Sequence, residues 1–283
     1  MAIKSLGSGL RMMGRVPAVW GPGIAAGIFL GTGIAVALQD GVFIAGRLWI
    51  IEFFVLPFLV GALLGAVKRR KVSGNAEPGG FVADGKKYYF PVLLPAVIIG
   101  FAMAVTIGLL LVPFALMGTG VVTAVMAGAV MGVVVPFVIG TYFYDTAAVF
   151  EGRKVLDSIR RSVEVSLSHL GQVLLFFVMN ALVIGAVGFV LLVAWTTVLY
   201  DRLAPIASYN ATQLQQFTPA ELTAILGTDG AYITAVLGAI GIAFAVTFAY
   251  SYKSAFYPEI AGETTAEIPL GYYDEKGRWY KYS

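Results

Sequence analysis

The sequence contains no cysteine and one histidine, and charged residues make up only 12% of its 283 positions. The lack of cysteine excludes disulfides, thiolate nucleophiles and cysteine-ligated zinc or iron–sulfur sites. Soluble domains carry about 25% charged and about 45–50% apolar residues, whereas this chain is 59% hydrophobic with a mean hydropathy of +0.85. Its polar surface is too small for a water-soluble core, and its apolar content is too high for disorder. The composition predicts a protein of the lipid bilayer.

Six continuous apolar stretches are long enough to cross a membrane. A helical crossing needs about 20 mainly apolar residues for about 30 Å of hydrocarbon, and no stretch shows the period-two alternation of a porin strand. The predicted spans are Pro17–Leu38, Leu48–Val67, Phe90–Leu116, Val121–Tyr144, Gly171–Leu199 and Ala231–Tyr250, with a turn at Met117–Gly120 between the third and fourth. The sequence therefore predicts an all-α, polytopic membrane protein whose six transmembrane helices form three hairpins.

Lysine and arginine are sorted to one side of the predicted membrane. Of the 19 Lys and Arg residues, all but Arg47 and Arg202 lie before span 1, between spans 2 and 3, after span 4 or after span 6. Cytoplasmic segments carry such an excess, so we expect a multi-pass protein of the cell membrane with both termini cytoplasmic. The cations then face anionic headgroups at the inner leaflet, which we expect as partners together with the bilayer itself. Because they are spread over four segments, we expect no nucleic acid partner.

Basic stretches lead into the predicted hairpins. Before span 5, Lys154–Leu170 predicts a cytoplasmic amphipathic helix in the membrane interface, with Arg160, Arg161 and Glu164 on its polar side. Its apolar stripe consists of Leu156, Ile159, Val163, Leu167 and Leu170. Before span 1, Leu6, Leu10 and Met13 share a helical face. Before span 3, Phe81–Tyr89 contains an Asp84-Gly85 turn signal and predicts a tight turn or a short helix start.

The remaining aqueous segments are too short to form domains. We interpret residues 1–257 as a six-helix transmembrane domain and residues 258–283 as a cytoplasmic tail, in which a turn at Asp274–Gly277 predicts a small aromatic hairpin. In the loop after span 5, Thr218-Pro-Ala-Glu221 predicts a capped short helix that reaches Leu226. Asn210 lies in a glycosylation sequon on the predicted outer side, and the sequence leaves its modification open.

Two polar residues within the spans are candidates for function. Glu52 is the one acidic residue well inside a predicted span, and intramembrane ionisable groups are functional candidates. Its structural alternative is to reach the nearby interface or to pair with Arg47. Asn180 lies within span 5 and either lines a pathway or makes a hydrogen bond between helices, which is the commoner role of such an amide.

Glycines recur at four-residue spacing in three spans. Such small-residue faces allow the backbones of neighbouring helices to approach closely. Internal packing is favoured, while a homo-oligomer or a membrane-protein partner is the alternative. The helix-packing candidates are Gly23, Gly27, Gly31, Gly61, Gly65, Gly128 and Gly132.

The sequence offers no complete catalytic or metal-binding set. His169 stands alone, and a metal site needs further ligands. Tyr144-Asp145 resembles half of an intramembrane aspartyl protease pair, but no second glycine-flanked aspartate lies in another span. We therefore expect no enzyme activity, no cofactor and no metal.

Two segments resemble a known group of proteins. The segment Phe81-Val-Ala-Asp-Gly-Lys-Lys before span 3 and the Lys154–Gly171 segment before span 5, with its Arg161-Ser162 pair, resemble mostly archaeal multi-pass proteins of unknown function. That group is similar to the membrane domain attached to some glycerophosphodiester phosphodiesterases. The catalytic barrel with its acidic metal ligands is absent from this chain. The resemblance implies a helical membrane module without hydrolase activity.

These features favour a non-enzymatic membrane protein that organises lipids or partner proteins. The close-packing glycine faces and the basic amphipathic segments support this hypothesis. The alternative is a small solute or ion transporter or a channel subunit, which Glu52, Asn180 and the prolines within spans 2 to 4 would serve.

Overall fold

The computed structural model describes residues 1–73, 80–117, 122–263, 271–273 and 279–281. Within these ranges the helices are α1 (Ala2–Arg15), α2 (Trp20–Gln39), α3 (Val42–Ser73), α4 (Phe81–Met117), α5 (Val122–Thr141), α6 (Tyr144–Phe150), α7 (Val155–Ser168), α8 (Leu170–Val198), α9 (Tyr200–Leu203), α10 (Ala211–Gln216) and α11 (Pro219–Glu263). Strands β1 (Gly271–Tyr273) and β2 (Trp279–Lys281) pair antiparallel. Residues 118–120 of the predicted turn and the hairpin turn Asp274–Gly277 lie outside the described residues.

Six helical segments are long and apolar enough to cross a membrane. They are Pro17–Gln39, Val42–Lys71, Phe81–Pro113, Ala127–Phe150, Leu170–Val198 and Pro219–Gly262. Each overlaps one predicted span, so the prediction of an all-α, multi-pass membrane protein is confirmed at this level. Every backbone donor and acceptor must be satisfied within the segment that crosses hydrocarbon, and the helix does this without a neighbour.

The segment before the third span is a helix start and contains no turn. α4 begins at Phe81 and runs through the Asp84-Gly85 pair. Asp84 lies in the first helical turn, where the helix dipole favours an acid, and it accepts a hydrogen bond from Arg69 Nε at 2.7 Å. A Cβ at Gly85 would lie 2.5 Å from Phe58 Cε2, so the glycine allows the Phe58 ring to pack directly on the helix backbone.

The predicted capped helix in the loop after span 5 is confirmed, and it continues into the last span. Glu221 N donates to Thr218 Oγ1 at 3.2 Å, and Thr218 N donates to Glu221 Oε2 at 2.7 Å. The helix is interrupted at Gly227, whose φ of +61° is accessible to glycine at little cost. Arg202 donates to the carbonyl of Leu226 at this break. α11 then continues through the predicted domain boundary at residue 257 to Glu263.

The ends of the spans form two distinct regions. At the basic end, α1, α6 and α7 gather around the start of α8 and the end of α11. We define this end by Arg15, Lys71, Arg161 and Lys253. At the opposite, loop end lies the segment 199–218.

The main core lies at the basic end. It is formed by aromatic residues of α8 and α11 together with Phe143 and buried residues of α1 and α7. Between the two ends, α2 packs along α11 and α3 packs along α4, while the sides of α5 and α8 away from these helices are exposed. The bundle is therefore closed by side chains at the basic end.

Candidate functional site

A buried ion pair lies just after the break between α5 and α6. Asp145 of α6 accepts a hydrogen bond from Lys253 of α11 at 2.6 Å, and their side chains are only 1% and 3% exposed. Two charges removed from water need each other, because either one left alone in a low-dielectric interior is strongly disfavoured. The pair therefore ties together two elements that are far apart in the sequence.

A serine of α7 satisfies the backbone at the helix break. Ser162 Oγ accepts from Phe143 N at 2.9 Å and donates to the carbonyl of Gly140 at 2.8 Å. On the other side of the break, Thr146 N donates to Asp145 Oδ1 at 2.6 Å. The Thr146 hydroxyl donates to the carbonyl of Phe143 at 2.8 Å. Backbone groups freed by a helix break need such partners when they are buried. These hydrogen bonds fix the conformation of the break and therefore the position of Asp145.

Aromatic rings enclose the ion pair. The Lys253 ammonium lies 4.1 Å from the ring centroid of Tyr142 and 5.1 Å from that of Tyr250. The negative faces of the rings attract the cation. Next to them, the rings of Phe176 and Phe256 stack with centroids 4.8 Å apart. The rings exclude water from the pair and close the basic end of the bundle.

A second charged cluster lies at the surface of the same end. Glu151 accepts from the Tyr257 hydroxyl at 2.5 Å, from Arg153 Nε at 2.9 Å and from Arg161 Nε at 3.2 Å. Burial raises the pKa of Glu151, but the hydrogen bonds from Tyr257 and Arg153 and the charge of Arg161 outweigh it, so the pKa lies below its ordinary value of 4.5. Burial lowers the pKa of Arg161, but the charge of Glu151 outweighs it and raises that pKa. These four residues line a cavity of about 310 Å³ in which one carboxylate lies between two guanidinium groups.

Two cations of this region bind helix carbonyls. Lys68 Nζ donates to the carbonyl of Val149 at 2.6 Å, in the last turn of α6. Arg161 Nη2 donates to the carbonyl of Ala261 at 3.0 Å, in the last turn of α11. The last carbonyls of a helix have no partner within it and carry the negative end of its dipole. These cations are therefore used in holding the bundle together.

The helix α7 buries serines and Arg161 and exposes its leucines, and Arg160 of the predicted polar side lies exposed beside them. Val155–Ser168 is helical as predicted from the spacing. Leu156 and Leu167 are 67% and 66% exposed, and Leu170, just beyond the helix, is exposed too. The face that packs on the bundle consists of Ser158, Arg161, Ser162, Val165 and Ser166. Of the predicted apolar stripe, Leu156, Leu167 and Leu170 thus face away from the protein, whereas Ile159 and Val163 are half-buried.

The helix α1 also leaves apolar residues exposed, but the predicted Leu6, Leu10 and Met13 face is divided, because Met13 is buried and Leu6 packs against the core while Leu10 is exposed. Its outward side holds Ile3 and Leu10, which are 65% and 45% exposed, beside the exposed cations Lys4 and Arg11. Its packed face consists of Ala2, Ser5, Gly9 and Met13. We call the exposed apolar and basic residues of α1 and α7 the outward face; they are Ile3, Lys4, Leu10, Arg11, Leu156, Arg160 and Leu167.

Glu52 lies near the loop end, packed against α2. Its side chain is 4% exposed, and a Cβ at Gly33 would lie 2.5 Å from Glu52 Oε1. Arg47 lies 4.9 Å over the ring of Phe43, and in the described part of the chain it forms no ion pair with Glu52. The Glu52 side chain therefore lies where α3 contacts α2, and Gly33 allows the two helices to approach closely there.

Asn180 is buried and hydrogen-bonds within its own helix. Its Nδ2 donates to the carbonyl of Phe176, one turn earlier in α8, at 3.1 Å. Its Oδ1 is buried and, among the described residues, has no hydrogen-bond partner. Among the residues that the structure describes, the Asn180 amide thus has a partner in α8 and none on another helix.

Five of the seven candidate glycines pack helix against helix. A Cβ at Gly31 would lie 2.7 Å from Ala239 Cβ of α11, and a Cβ at Gly65 would lie 2.6 Å from Asp84 Cβ of α4. Gly23 and Gly27 likewise abut α11, and Gly61 abuts α4. By contrast, Gly128 and Gly132 of α5 have no atom within 4 Å of the added position. The glycines of α2 and α3 therefore determine which helices can be neighbours.

The sequence reasoning missed the Asp145–Lys253 pair. From the sequence, Asp145 resembles only half of a protease dyad, and Lys253 is one of the cations that follow span 6. The available signal is that each follows a tyrosine-rich tripeptide, Tyr142-Phe-Tyr144 and Tyr250-Ser-Tyr252. Within the ranges that the structure describes, no three His, Asp or Glu side chains are grouped to hold a metal ion.

Comparison with known proteins gives a family and no activity. Residues 1–257 match the family model of a domain of unknown function, DUF7847. No curated protein matches the chain. No solved structure matches it either. The function must therefore be argued from the geometry.

Proposed function

We propose that this chain, which belongs to the DUF7847 family, is a non-enzymatic membrane protein that binds and organises anionic lipids of the cytoplasmic leaflet. In this proposal the six spans form three hairpins in the cell membrane, and the basic end and both termini lie in the cytoplasm. The sorting of all but two of the 19 Lys and Arg residues to one side supports this orientation.

The outward face of α1 and α7 carries the proposal. A helix that joins a soluble core buries its apolar side, but α7 buries serines and leaves Leu156 and Leu167 exposed. At the ends of membrane-spanning helices, that exposed side meets the boundary between headgroups and acyl chains. An amphipathic helix lies stably there with its apolar residues toward the chains.

The charges of the outward face favour anionic headgroups. In the described ranges, Lys4, Arg11 and Arg160 have no carboxylate partner. The exposed acid beside them on α7 is Asp157. Each Lys or Arg near an anionic leaflet contributes about 1 kcal/mol of attraction. The cations Arg161 and Lys253, in contrast, are already neutralised within the protein.

A second candidate is a transporter of small solutes or ions, which the buried Asp145–Lys253 pair favours. Ionisable residues within membrane segments mark ion and proton pathways in many transporters. Here the two groups contact each other directly and are enclosed by aromatic rings. This arrangement supports a role in holding α6 against α11 more than a role in an ion pathway. Lipid binding is therefore the preferred function.

The proposal is tested by lipid selectivity in reconstituted vesicles. Spin-labelled phosphatidylglycerol and spin-labelled phosphatidylcholine are compared for their association with the protein by electron paramagnetic resonance. We expect the wild type to prefer phosphatidylglycerol, and the preference to weaken as salt screens the charges. The triple variant Lys4→Gln, Arg11→Gln, Arg160→Gln is expected to lose most of it.

The control keeps every charge in place. In Lys4→Arg, Arg11→Lys, Arg160→Lys the preference should persist, because headgroup attraction depends on charge. Equal association of both lipids with the wild type, or an undiminished preference in the neutral variant, would refute the proposal.

A further inference from the structure

We propose that a groove between α8 and α11 binds one acyl chain of a membrane lipid, from the leaflet at the loop end. The groove has a volume of about 530 Å³ and is lined almost entirely by apolar side chains. Both of its walls belong to segments long and apolar enough to cross the membrane. The solvent at its opening is therefore hydrocarbon, and the occupant that matches it chemically is a lipid chain.

The length of the groove matches one leaflet. Its wall on α8 runs from Ile184 to Trp195, which at 1.5 Å per residue is a length of about 17 Å. The hydrocarbon core is about 30 Å thick, so one leaflet contributes about half of that. A chain that enters beside Trp195 would reach Ile184 near the middle of the membrane.

The loop end of the groove has the features of a membrane interface. Trp195 Nε1 donates to Thr234 Oγ1 at 2.8 Å, so the indole is fixed across the two helices. Tyr200 follows Trp195 closely in sequence, Tyr232 stands just before Thr234, and both tyrosines are exposed. Tryptophan and tyrosine are enriched at the level of the headgroups. The polar part of a lipid would lie at this level while its chain extends toward Ile184.

Glycines shape the groove. A Cβ at Gly238 would meet Ile34 Cδ1 at 2.8 Å, and a Cβ at Gly241 would meet Leu191 Cδ1 at 3.0 Å, so these two glycines bring side chains close. Gly188 differs, because no atom lies within 4 Å of its added Cβ although it lines the groove. The open space of the groove is therefore on the Gly188 side. Without a hydrophobic force inside the bilayer, van der Waals contact along this length would hold the chain.

This inference goes beyond the proposed function. The outward face concerns anionic headgroups at the basic end, whereas the groove lies toward the opposite end, and none of its described lining residues is charged. Its occupancy should not depend on headgroup charge. Either proposal can fail while the other stands.

The test uses a phosphatidylcholine that carries a photoreactive diazirine on one acyl chain. After irradiation in vesicles, adducts are mapped along the protein by mass spectrometry. We expect the wild-type adducts to concentrate in residues 184–195 and 234–245. A phosphatidylglycerol with the same chain should give the same map, which separates this site from the proposed headgroup preference.

A matched pair of substitutions on α8 tests the site directly. Gly188→Leu places a side chain into the groove and should reduce adducts there about fivefold, because a close-packed space excludes a second occupant. Gly185→Leu makes the same change three residues earlier, where there is also no atom within 4 Å but no groove wall. It should leave the map unchanged.

Two outcomes would overturn the inference. One is a wild-type map in which adducts are spread evenly over the exposed surfaces of α4, α5 and α8. The other is an undiminished groove signal in Gly188→Leu. The wild-type map needs no substitution, so the inference remains testable if Gly188→Leu fails to fold.

Discussion

At the scale of single residues, Lys253 shows how this protein tolerates charge in an apolar setting. Its ammonium has a carboxylate at 2.6 Å and two tyrosine rings within 5.1 Å. The exposed pair at the loop end, Arg202–Asp229, has a longer contact of 3.0 Å and lies in contact with water. A pair of opposite charges therefore contributes differently to the free energy of unfolding when it is buried at the basic end and when it is exposed at the loop end.

We predict that Asp145→Asn destabilises the protein far more than Asp229→Asn. Loss of one partner of a buried pair costs about 3–5 kcal/mol, because the other charge stays buried and unpaired. Loss of an exposed pair costs up to about 1 kcal/mol. The free energy of unfolding, measured by chemical denaturation in detergent micelles, checks this difference.

Removing both charges provides the control. Asp145→Leu with Lys253→Met should restore much of the loss, since apolar replacements leave no charge in the interior. Equal losses for Asp145→Asn and Asp229→Asn would show that the buried pair contributes no more than the exposed one.

Sequence could identify charged residues but not their pairings. Glu52 stands out by its position in an apolar run, and the structure indeed buries it. Asp145 and Lys253 stand at the ends of apolar runs, where charges are usually solvated. Their contact depends on the break between α5 and α6, and that break depends on Ser162 of a third helix. Such a three-way arrangement has no local periodicity to reveal it.

At the scale of elements, small residues decide which helices meet. Gly9 of α1 lies against the backbone of α11, where an added Cβ would be 2.8 Å from Tyr252 Cα. Two further bonds hold the start of α1: the Tyr252 hydroxyl donates to the carbonyl of Ala2 at 3.0 Å, and Ser5 Oγ donates to Glu259 at 2.8 Å. α1 is thus an integral part of the bundle while its other side stays exposed.

We predict that Gly9→Leu releases α1 from α11. The contact at 2.8 Å is to backbone, which cannot rotate away, so amides of residues 2–15 should exchange with solvent about tenfold faster as the helix opens locally. Gly7→Leu is the matched control, because no atom lies within 4 Å of its added Cβ. Hydrogen exchange with mass spectrometry measures both variants, and equal protection of α1 in the two would contradict the packing described.

The spans were predictable because hydropathy alone determines them. The ends of the helices were harder to predict. α4 begins at Phe81, well before the predicted start of span 3 at Phe90. α11 extends from Pro219 to Glu263, beyond both ends of the predicted span Ala231–Tyr250. Polar residues such as Asp84 lower the hydropathy at these ends without stopping the helix. The amphipathic spacing of α7 was visible, but not which side would pack, since serine faces and leucine faces are both valid contacts in lipid.

At the scale of the whole molecule, the two ends of the bundle differ in charge, and this difference predicts orientation. The chain has no cysteine, so single cysteines give unambiguous labelling sites. We predict that Ser208→Cys, exposed at the loop end, reacts with a membrane-impermeant maleimide in intact cells. Ser8→Cys, exposed at the basic end, should react only after permeabilisation. The reverse pattern would refute the proposed cytoplasmic position of the basic end.

The order of the helices along the chain has a consequence for biogenesis, because α11 follows the elements that pack on it. It supplies the partner of Asp145, the surface on which α2 packs and the contacts that hold α1. Until the ribosome has synthesised α11, α1 and α2 lack the helix on which they pack, whereas α3 and α4 can already pair. The last stage of assembly therefore waits for α11, and a nascent chain that stalls before it leaves the Asp145 carboxylate without Lys253, which membrane quality control can recognise.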